Sequence, residues 1–214
     1  FGKLVTFYKA PERIIAIDAA TVEILFAIGY GHSIVGTHEF VDYPPETEEI
    51  TRVGNAFALD LESIVALVPD LVVIFFENPF SELRALNLPV LYLNSPTALD
   101  DIPVRIRMWG LIVDRMESAM NVSNAFQTSV AVSIESIGNP PNPRPSVFYD
   151  LAPGWWTSGH GTLANDILVQ LGSDNIFADV SGWQQVSIEQ LVKRNPSAIV
   201  SLHPGGKSKL LEEE

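Results

Sequence analysis

Three histidines and a glutamate fall where strands or turns should end: His38 beside Glu39, His160, and His203. Imidazoles and a carboxylate are a donor set for a bare divalent ion, and an ion holding an activated water would make a hydrolase. The four residues are scattered, however, with no i, i+4 pair to put two ligands on one helix face. Each histidine therefore reads as a loop residue. A metal-dependent hydrolase built on His38, Glu39, His160 and His203 is the enzyme alternative, and a carrier of bare zinc or manganese is a third reading. Thr157-Ser158-Gly159-His160-Gly161 sets a serine near a histidine but is not Gly-x-Ser-x-Gly, and no strand–elbow–helix pattern surrounds it. Glu39 and Glu77 could pair as acid and base, as carboxylates can in any acidic chain. There is no Walker or dinucleotide glycine loop. The chain has no cysteine, which removes thiolate catalysis, disulfides and Cys-type zinc or iron–sulfur sites.

The more informative group is aromatic. Trp155, Trp156 and Trp183, with Phe40, Phe57 and Phe75, fall in segments that read as loops. Large aromatic faces on loops are costly unless something covers them, and flat ligands are held by such walls plus a few polar groups. Adjacent Trp155 and Trp156 cannot both point inward along an extended segment, so one of them should face a ligand or solvent.

Positioning these residues falls to alternating strands and helices. Ile14–Ile17 reads as a buried strand and Thr21–Ile28 as a helix closed by Gly29. Ile34–Thr37 is a second strand. Asp60 caps a helix running to Val68, stopped by Pro69. Leu71–Phe75 and Val90–Leu93 are further strands. Ala98–Val113 and Glu117–Ile137 read as helices with no strand between them, the second about 30 Å long. The Pro-rich run Asn139–Pro145 is a stiff link. Alternation then resumes with strand Val147–Leu151, helices Leu163–Leu171 and Ser187–Arg194, and strand Ala198–Leu202. Strands separated by helices imply mostly parallel sheets covered on both faces. The expected division is an N-terminal α/β lobe over 1–97, a helical segment over 98–138 and a C-terminal α/β lobe over 139–214.

In open α/β sheets ligands bind beyond the carboxyl ends of the strands. The loops there hold Asp18, then His38-Glu39-Phe40, Asn55-Ala56-Phe57 and Phe75 to Asn78, with Trp155-Trp156, His160, Trp183 and His203 in the second half. None holds an arginine, which favours a neutral or cationic ligand over an anionic one.

The two halves look like copies. Leu61-Glu62-x-Ile64 followed by Pro69 and Val72-Val73 returns as Ile188-Glu189-x-Leu191 followed by Pro196 and Ile199-Val200. Ile24-Leu25-x-x-Ile28-Gly29 returns as Ile167-Leu168-x-x-Leu171-Gly172. Carrying the spacing of the first copy onto the second puts its last strand near position 220, so the second lobe is expected to be incomplete.

Pro11-Glu12-Arg13-Ile14-Ile15, Thr21 to Gly29, Asp42-Tyr43-Pro44-Pro45-Glu46 and Leu61 to Val72 together resemble the helical-backbone class of periplasmic binding proteins. Thr157-Ser158-Gly159, Asn175 to Asp179 and Trp183 to Glu189 match it in order. Members of that class carry cobalamin, ferric siderophores or haem for ABC importers. The resemblance implies two Rossmann-like lobes joined by one long helix, with the ligand in a cleft between them. It implies a transport protein rather than an enzyme, with a metal chelate as cargo and no resident cofactor. It places the protein in the periplasm or otherwise outside the cytoplasm, free or lipid-anchored through a segment upstream of Phe1. It also implies that Glu62 and Glu189 meet basic residues on a membrane permease dimer. The site it implies comprises Phe40, Phe57, Phe75, Trp155, Trp156, Trp183 and His203, for a corrinoid first and a ferric siderophore or haem next. The cobalamin carriers of the class have a tryptophan near Ala56, where this chain offers Phe57.

Composition agrees with a folded protein of this kind. Hydrophobic residues make up 47% of the chain, enough for a packed core. Against 13 lysines and arginines stand 26 acidic residues, a formal charge of −13. That excludes polyanions such as nucleic acid as natural partners and suits docking on a basic surface.

Overall fold

Strand β1 (Ile14–Ala16) shows why the fold takes its form: every one of its side chains is buried, as happens when helices cover both faces of a parallel sheet. The computed structural model describes residues 5–55, 58–139 and 141–203. The chain divides into two units, one made of residues 1–95 and 103–126, the other of 96–102 and 127–214. The division falls inside helices α4 (Asp101–Ile112) and α5 (Met116–Ile137) rather than at their ends. Among the described residues no helix is long and apolar enough to cross a membrane.

In the first unit β1 is followed by α1 (Ala19–Ala27), β2 (Ile34–Thr37), the short strands β3 (Thr51–Arg52), β4 (Gly54–Asn55) and β5 (Ala58–Leu59), then α2 (Leu61–Ala66), β6 (Leu71–Ile74), α3 (Phe80–Ala85) and β7 (Val90–Tyr92). The sheet order is β3-β2-β1-β6-β7, with every pairing parallel. Ile15, Ile17, Val53, Ile64, Val72, Ile74 and Leu83 form a buried core on it. Helix α3 and the β4–β5 hairpin have no counterpart in the sequence reading. Both are too short to show a hydrophobic period, and α3 is held by Leu83 alone among its fully buried residues. Helix α4 starts at Asp101 rather than Ala98, because the Asp101 carboxylate takes the N–H groups of Thr97 and Ala98 and ends the helix there. Where α4 turns into α5, a Cβ on Gly110 would lie 2.4 Å from that of Ala119, so only glycine fits.

In the second unit come β8 (Ser146–Asp150), β9 (Trp156–Ser158), α6 (Leu163–Gln170), β10 (Asp174–Asn175), β11 (Trp183–Gln185), α7 (Ile188–Arg194) and β12 (Ala198–Ser201). Strands β10-β8-β12 form a parallel sheet, and β9 pairs antiparallel with β11. Phe148, Phe177, Val186 and Leu191 make its core. Arg194 stacks over Phe177 with its guanidinium carbon 4.3 Å from the ring centroid, and both of its terminal nitrogens bond the Asp179 carboxylate. Hydrogen bonding to Arg194 holds the Asp179 carboxyl below its ordinary pKa.

The duplication seen in sequence is present in space. The order β2-β1-β6 of the first unit matches β10-β8-β12 of the second. Gly29 and Gly172 close the matched helices at φ 77° and 73°. Asp60 and Ser187 cap α2 and α7, Ser187 as part of a capping box with Gln190. The matched strands differ in cover. β6 is enclosed by α3 and β7, whereas Ile199 and Val200 of β12 remain 36% and 42% exposed.

Past α2 and α7 the chain takes the left-handed conformation before proline, at Val68 (φ 48°) and Asn195 (φ 46°). Asparagine tolerates this region, but a β-branched residue is strained there. Arg13 holds the strained turn by donating to the carbonyls of Leu67 and Val68. Val68 is 70% exposed, so little packing is lost on replacing it. Val68→Asn is expected to stabilise the protein by about 1 kcal/mol, raising the melting midpoint by roughly 2–4 °C. Asn195→Val should lower it by a similar amount. A midpoint for Val68→Asn at or below that of the wild type contradicts this account.

Candidate ligand-binding site

In the first unit the carboxyl ends of β1, β2, β6 and β7 bring together a mixed polar and aromatic set. Asp18, just past β1, accepts the Thr21 hydroxyl at 2.8 Å. It also faces Arg105 of α4 at 3.6 Å, and each side chain is only 13% exposed. Arg105 donates to the carbonyl of Asn94, just past β7. Reading loops alone missed this arginine because it arrives from a helix. Its charge is matched by Asp18, so the site gains no free cation from it.

Past β2, the His38 Nδ1 accepts the backbone N–H of Phe40 at 3.2 Å, which leaves the ring proton on Nε2. Burial pushes the His38 pKa below its ordinary value, with the Glu39 charge working in the opposite direction. Glu39 accepts the Asn55 side-chain amide at 2.7 Å. The His38 and Phe40 rings lie 5.3 Å apart, and Phe40 is 75% exposed, a large apolar surface open to a ligand. Phe75 packs edge-on against Phe76 with centroids 4.9 Å apart and leans on the sheet core, so it is half-buried. Phe57 lies outside the described residues.

In the second unit, the neighbouring tryptophans are separated by a backbone turn. Gly154 (φ 92°) and Trp155 (φ 62°) both take the left-handed region, which breaks the alternation of an extended chain. Trp155 is thereby turned onto the core beside Phe148, 6.4 Å between centroids, and Trp156 starts β9 with 39% of its surface exposed. In the β9–β11 ribbon Trp156 faces Gln185 and Trp183 faces Ser158. Strand alternation therefore puts Trp156 and Trp183 on the same face, as diagonal neighbours. Trp183 is 44% exposed and lies 6.5 Å from Tyr149. Burial pushes the Tyr149 pKa up, so the phenol keeps its proton.

At the carboxyl end of the same sheet, Ser201 pairs with Asp150 across β12 and β8. Asp150 is 1% exposed, and its Oδ2 meets His203 Nε2 at 2.9 Å and the Ser201 hydroxyl at 3.0 Å. Asp150 and Ser201 did not stand out in the sequence. A carboxylate closing an otherwise apolar strand was the available signal.

The enzyme alternative finds no assembled centre: among the described residues no three His, Asp or Glu side chains are placed to hold a metal ion. Ser158 is fully buried in β9. Gly159 is required structurally, since a Cβ there would lie 2.0 Å from the Val180 carbonyl oxygen. His160 is exposed, with its backbone rather than its ring tied to Val180. Glu62 and Glu189 occupy the same second helical position of α2 and α7, and both are exposed. Hydrogen bonding from Ser187 holds the Glu189 carboxyl below its ordinary pKa. A cavity of about 970 Å³ runs along the outer edge of β7, between Val5–Lys9 and Pro89–Asn94, and shares no residue with the aromatic set. It is a groove along an edge strand that reaches Asn94 just past the carboxyl end of β7.

Comparison with known proteins converges on one family. The model of the family described as periplasmic binding protein matches residues 14–213. A vitamin B12-binding protein of Pectobacterium carotovorum subsp. carotovorum is 31% identical over 201 residues, which cover 90% of this chain and 72% of that protein. Among solved structures, a possible iron-binding, periplasmic solute-binding protein of Staphylococcus epidermidis superposes with a TM-score of 0.81 at 28% identity, covering 96% of this chain and 82% of that one. The periplasmic vitamin B12-binding protein of Vibrio cholerae superposes equally well, at 0.81 and 26% identity over 95% of this chain and 82% of that one.

Proposed function

The chain belongs to the periplasmic binding protein family, and from that premise we propose that it captures a corrinoid outside the cytoplasmic membrane and hands it to an ABC permease. The observation that carries the corrinoid reading is the face shared by Trp156 and Trp183 beside Tyr149. A corrinoid is a large, nearly flat macrocycle rimmed by methyl groups and uncharged amides, and such rings are held by aromatic walls with few charges. In the first unit the exposed Phe40 is a separate apolar surface of the same kind. The charge-matched Arg105 and Asp18 fit a cargo of low net charge better than an anionic one. The similarity to vitamin B12-binding proteins supports the same reading. A ferric siderophore or haem is the second reading, favoured by the similarity to the iron-binding protein of Staphylococcus epidermidis.

Delivery would use Glu62 and Glu189. Two exposed carboxylates at identical positions of duplicated helices can meet two symmetry-related basic pockets, giving orientation and salt-sensitive docking.

Two experiments separate capture from delivery. Tryptophan fluorescence is titrated with cobalamin, cobinamide, haemin and a ferric hydroxamate, with absorbance corrected in a protein-free control. Saturable one-to-one quenching by the corrinoids is expected, weakened roughly tenfold or more when Trp183 is replaced by alanine. Quenching confined to haemin or the hydroxamate replaces the corrinoid reading with the second one. In vesicles carrying the cognate permease, the Glu62→Ala, Glu189→Ala double variant should lose stimulated transport and keep its binding curve. Loss of binding would assign the glutamates to the site or the fold instead.

A further inference from the structure

We infer that Val65 and Val192 are a second contact on each docking helix, apolar beds for the aliphatic stem of the permease lysine or arginine whose charged head meets Glu62 or Glu189. The inference rests on the permease-docking reading and deepens it. In α2, Ile64 is fully buried and fixes the inner face, while Glu62 is exposed and Val65 is 46% exposed. In α7, Leu191 is the buried anchor, while Glu189 is exposed and Val192 is 68% exposed. In each helix the valine follows the glutamate by three residues. That spacing makes them neighbours on one face, with Cβ atoms about 5–6 Å apart. The valines also end their helices alike. The Val65 carbonyl accepts the N–H of Val68 at 3.0 Å, and the Val192 carbonyl accepts that of Asn195 at 3.2 Å.

A single exposed valine is ordinary on any surface. Two of them, at one offset from matched glutamates, have no reason within their own helices. Valine is among the weaker helix formers, and an exposed position gives it little to pack against. The surface around the pair has diverged between the copies: Ala66 and Val68 in α2 stand where α7 has Lys193 and Asn195. The glutamate and the valine are common to both. A bare sheet edge does not account for the exposure either, because Val65 is exposed in the unit whose β6 is enclosed by α3 and β7.

The pair defines the chemistry of its partner. Lysine and arginine carry a run of methylenes behind the charge and lay it along apolar surface while the head stays in a polar setting. A carboxylate with two methyl groups one helical turn away fits that shape. Neither glutamate is held in an ion pair among the described residues, so each can take an incoming cation. The excess of 26 acidic over 13 basic residues favours a basic partner throughout.

Docking is measured with the cargo-loaded protein and the cognate permease in lipid nanodiscs, as association and dissociation rates at low and high salt. The Val65→Ala, Val192→Ala double variant should dock about tenfold more weakly. The loss should lie in faster release and be the same at both salt concentrations. The Glu62→Ala, Glu189→Ala double variant should instead associate slowly and lose most of the salt dependence. Alanine is the better helix former, so the valine variant should keep its fold and its cargo-binding curve. Isoleucine at both positions should keep wild-type docking. Unchanged docking of the alanine-for-valine variant, with docking lost in the glutamate variant, overturns the inference and leaves the docking reading standing. A valine effect that vanishes at high salt overturns the apolar contact, because the positions then act through charge. Loss of cargo binding in the valine variant overturns it by assigning those residues to the fold. Wild-type docking by both variants overturns the inference and the docking reading together.

Discussion

The controlling constraint is burial of parallel strands on both faces. In β1 and β6 the side chains above and below the sheet are all enclosed, so no position along these strands can carry chemistry. Polar and aromatic groups are displaced to the strand ends and to the ribbon beyond them. Every candidate for recognition follows from this. Asp18, His38, Phe40 and Phe75 follow strand ends in the first unit, and Asp150 and His203 close β8 and β12 in the second. The energy of the core, about 25 cal/mol for each Å² of apolar surface buried, is what holds these ends rigid enough to present a preformed face.

The duplicated halves use that constraint differently. The first unit pairs Arg105 with Asp18 and leaves Phe40 exposed. The second adds the β9–β11 ribbon, in which the left-handed Gly154 and Trp155 turn one tryptophan into the core and the next one out. Trp155 thus anchors the ribbon from beneath, and Trp156 and Trp183 form its open face. Beside that face stands Tyr149, while the Asp150–His203 pair closes the carboxyl end of the β8–β12 sheet.

Much of the architecture was legible in the sequence. The strands over Ile14–Ile17, Ile34–Thr37 and Leu71–Phe75 were visible as short β-branched runs, and Asp60 and Ser187 as caps. The repeat around Glu62 and Glu189 marked the two halves as copies, and their sheets share a strand order. What escaped notice had no periodic signal. Strands β9 and β11 are three residues each and are polar or aromatic rather than alternating. Arg105 reaches the strand ends from a helix, a tertiary placement no local pattern encodes. The adjacency of Trp155 and Trp156 did require that one of them face outward. Which one was decided by the positive φ at Trp155, a conformation that its residue type does not signal.

The central claim is that this chain is a carrier whose aromatic face selects a corrinoid. Native mass spectrometry tests it most directly: the protein is mixed with equal amounts of cobalamin, haemin and a ferric hydroxamate, and the intact complexes are weighed. The account predicts one cobalamin per chain as the dominant adduct. A dominant haemin or hydroxamate adduct, or a chain that remains bare in the presence of all of them, would contradict it.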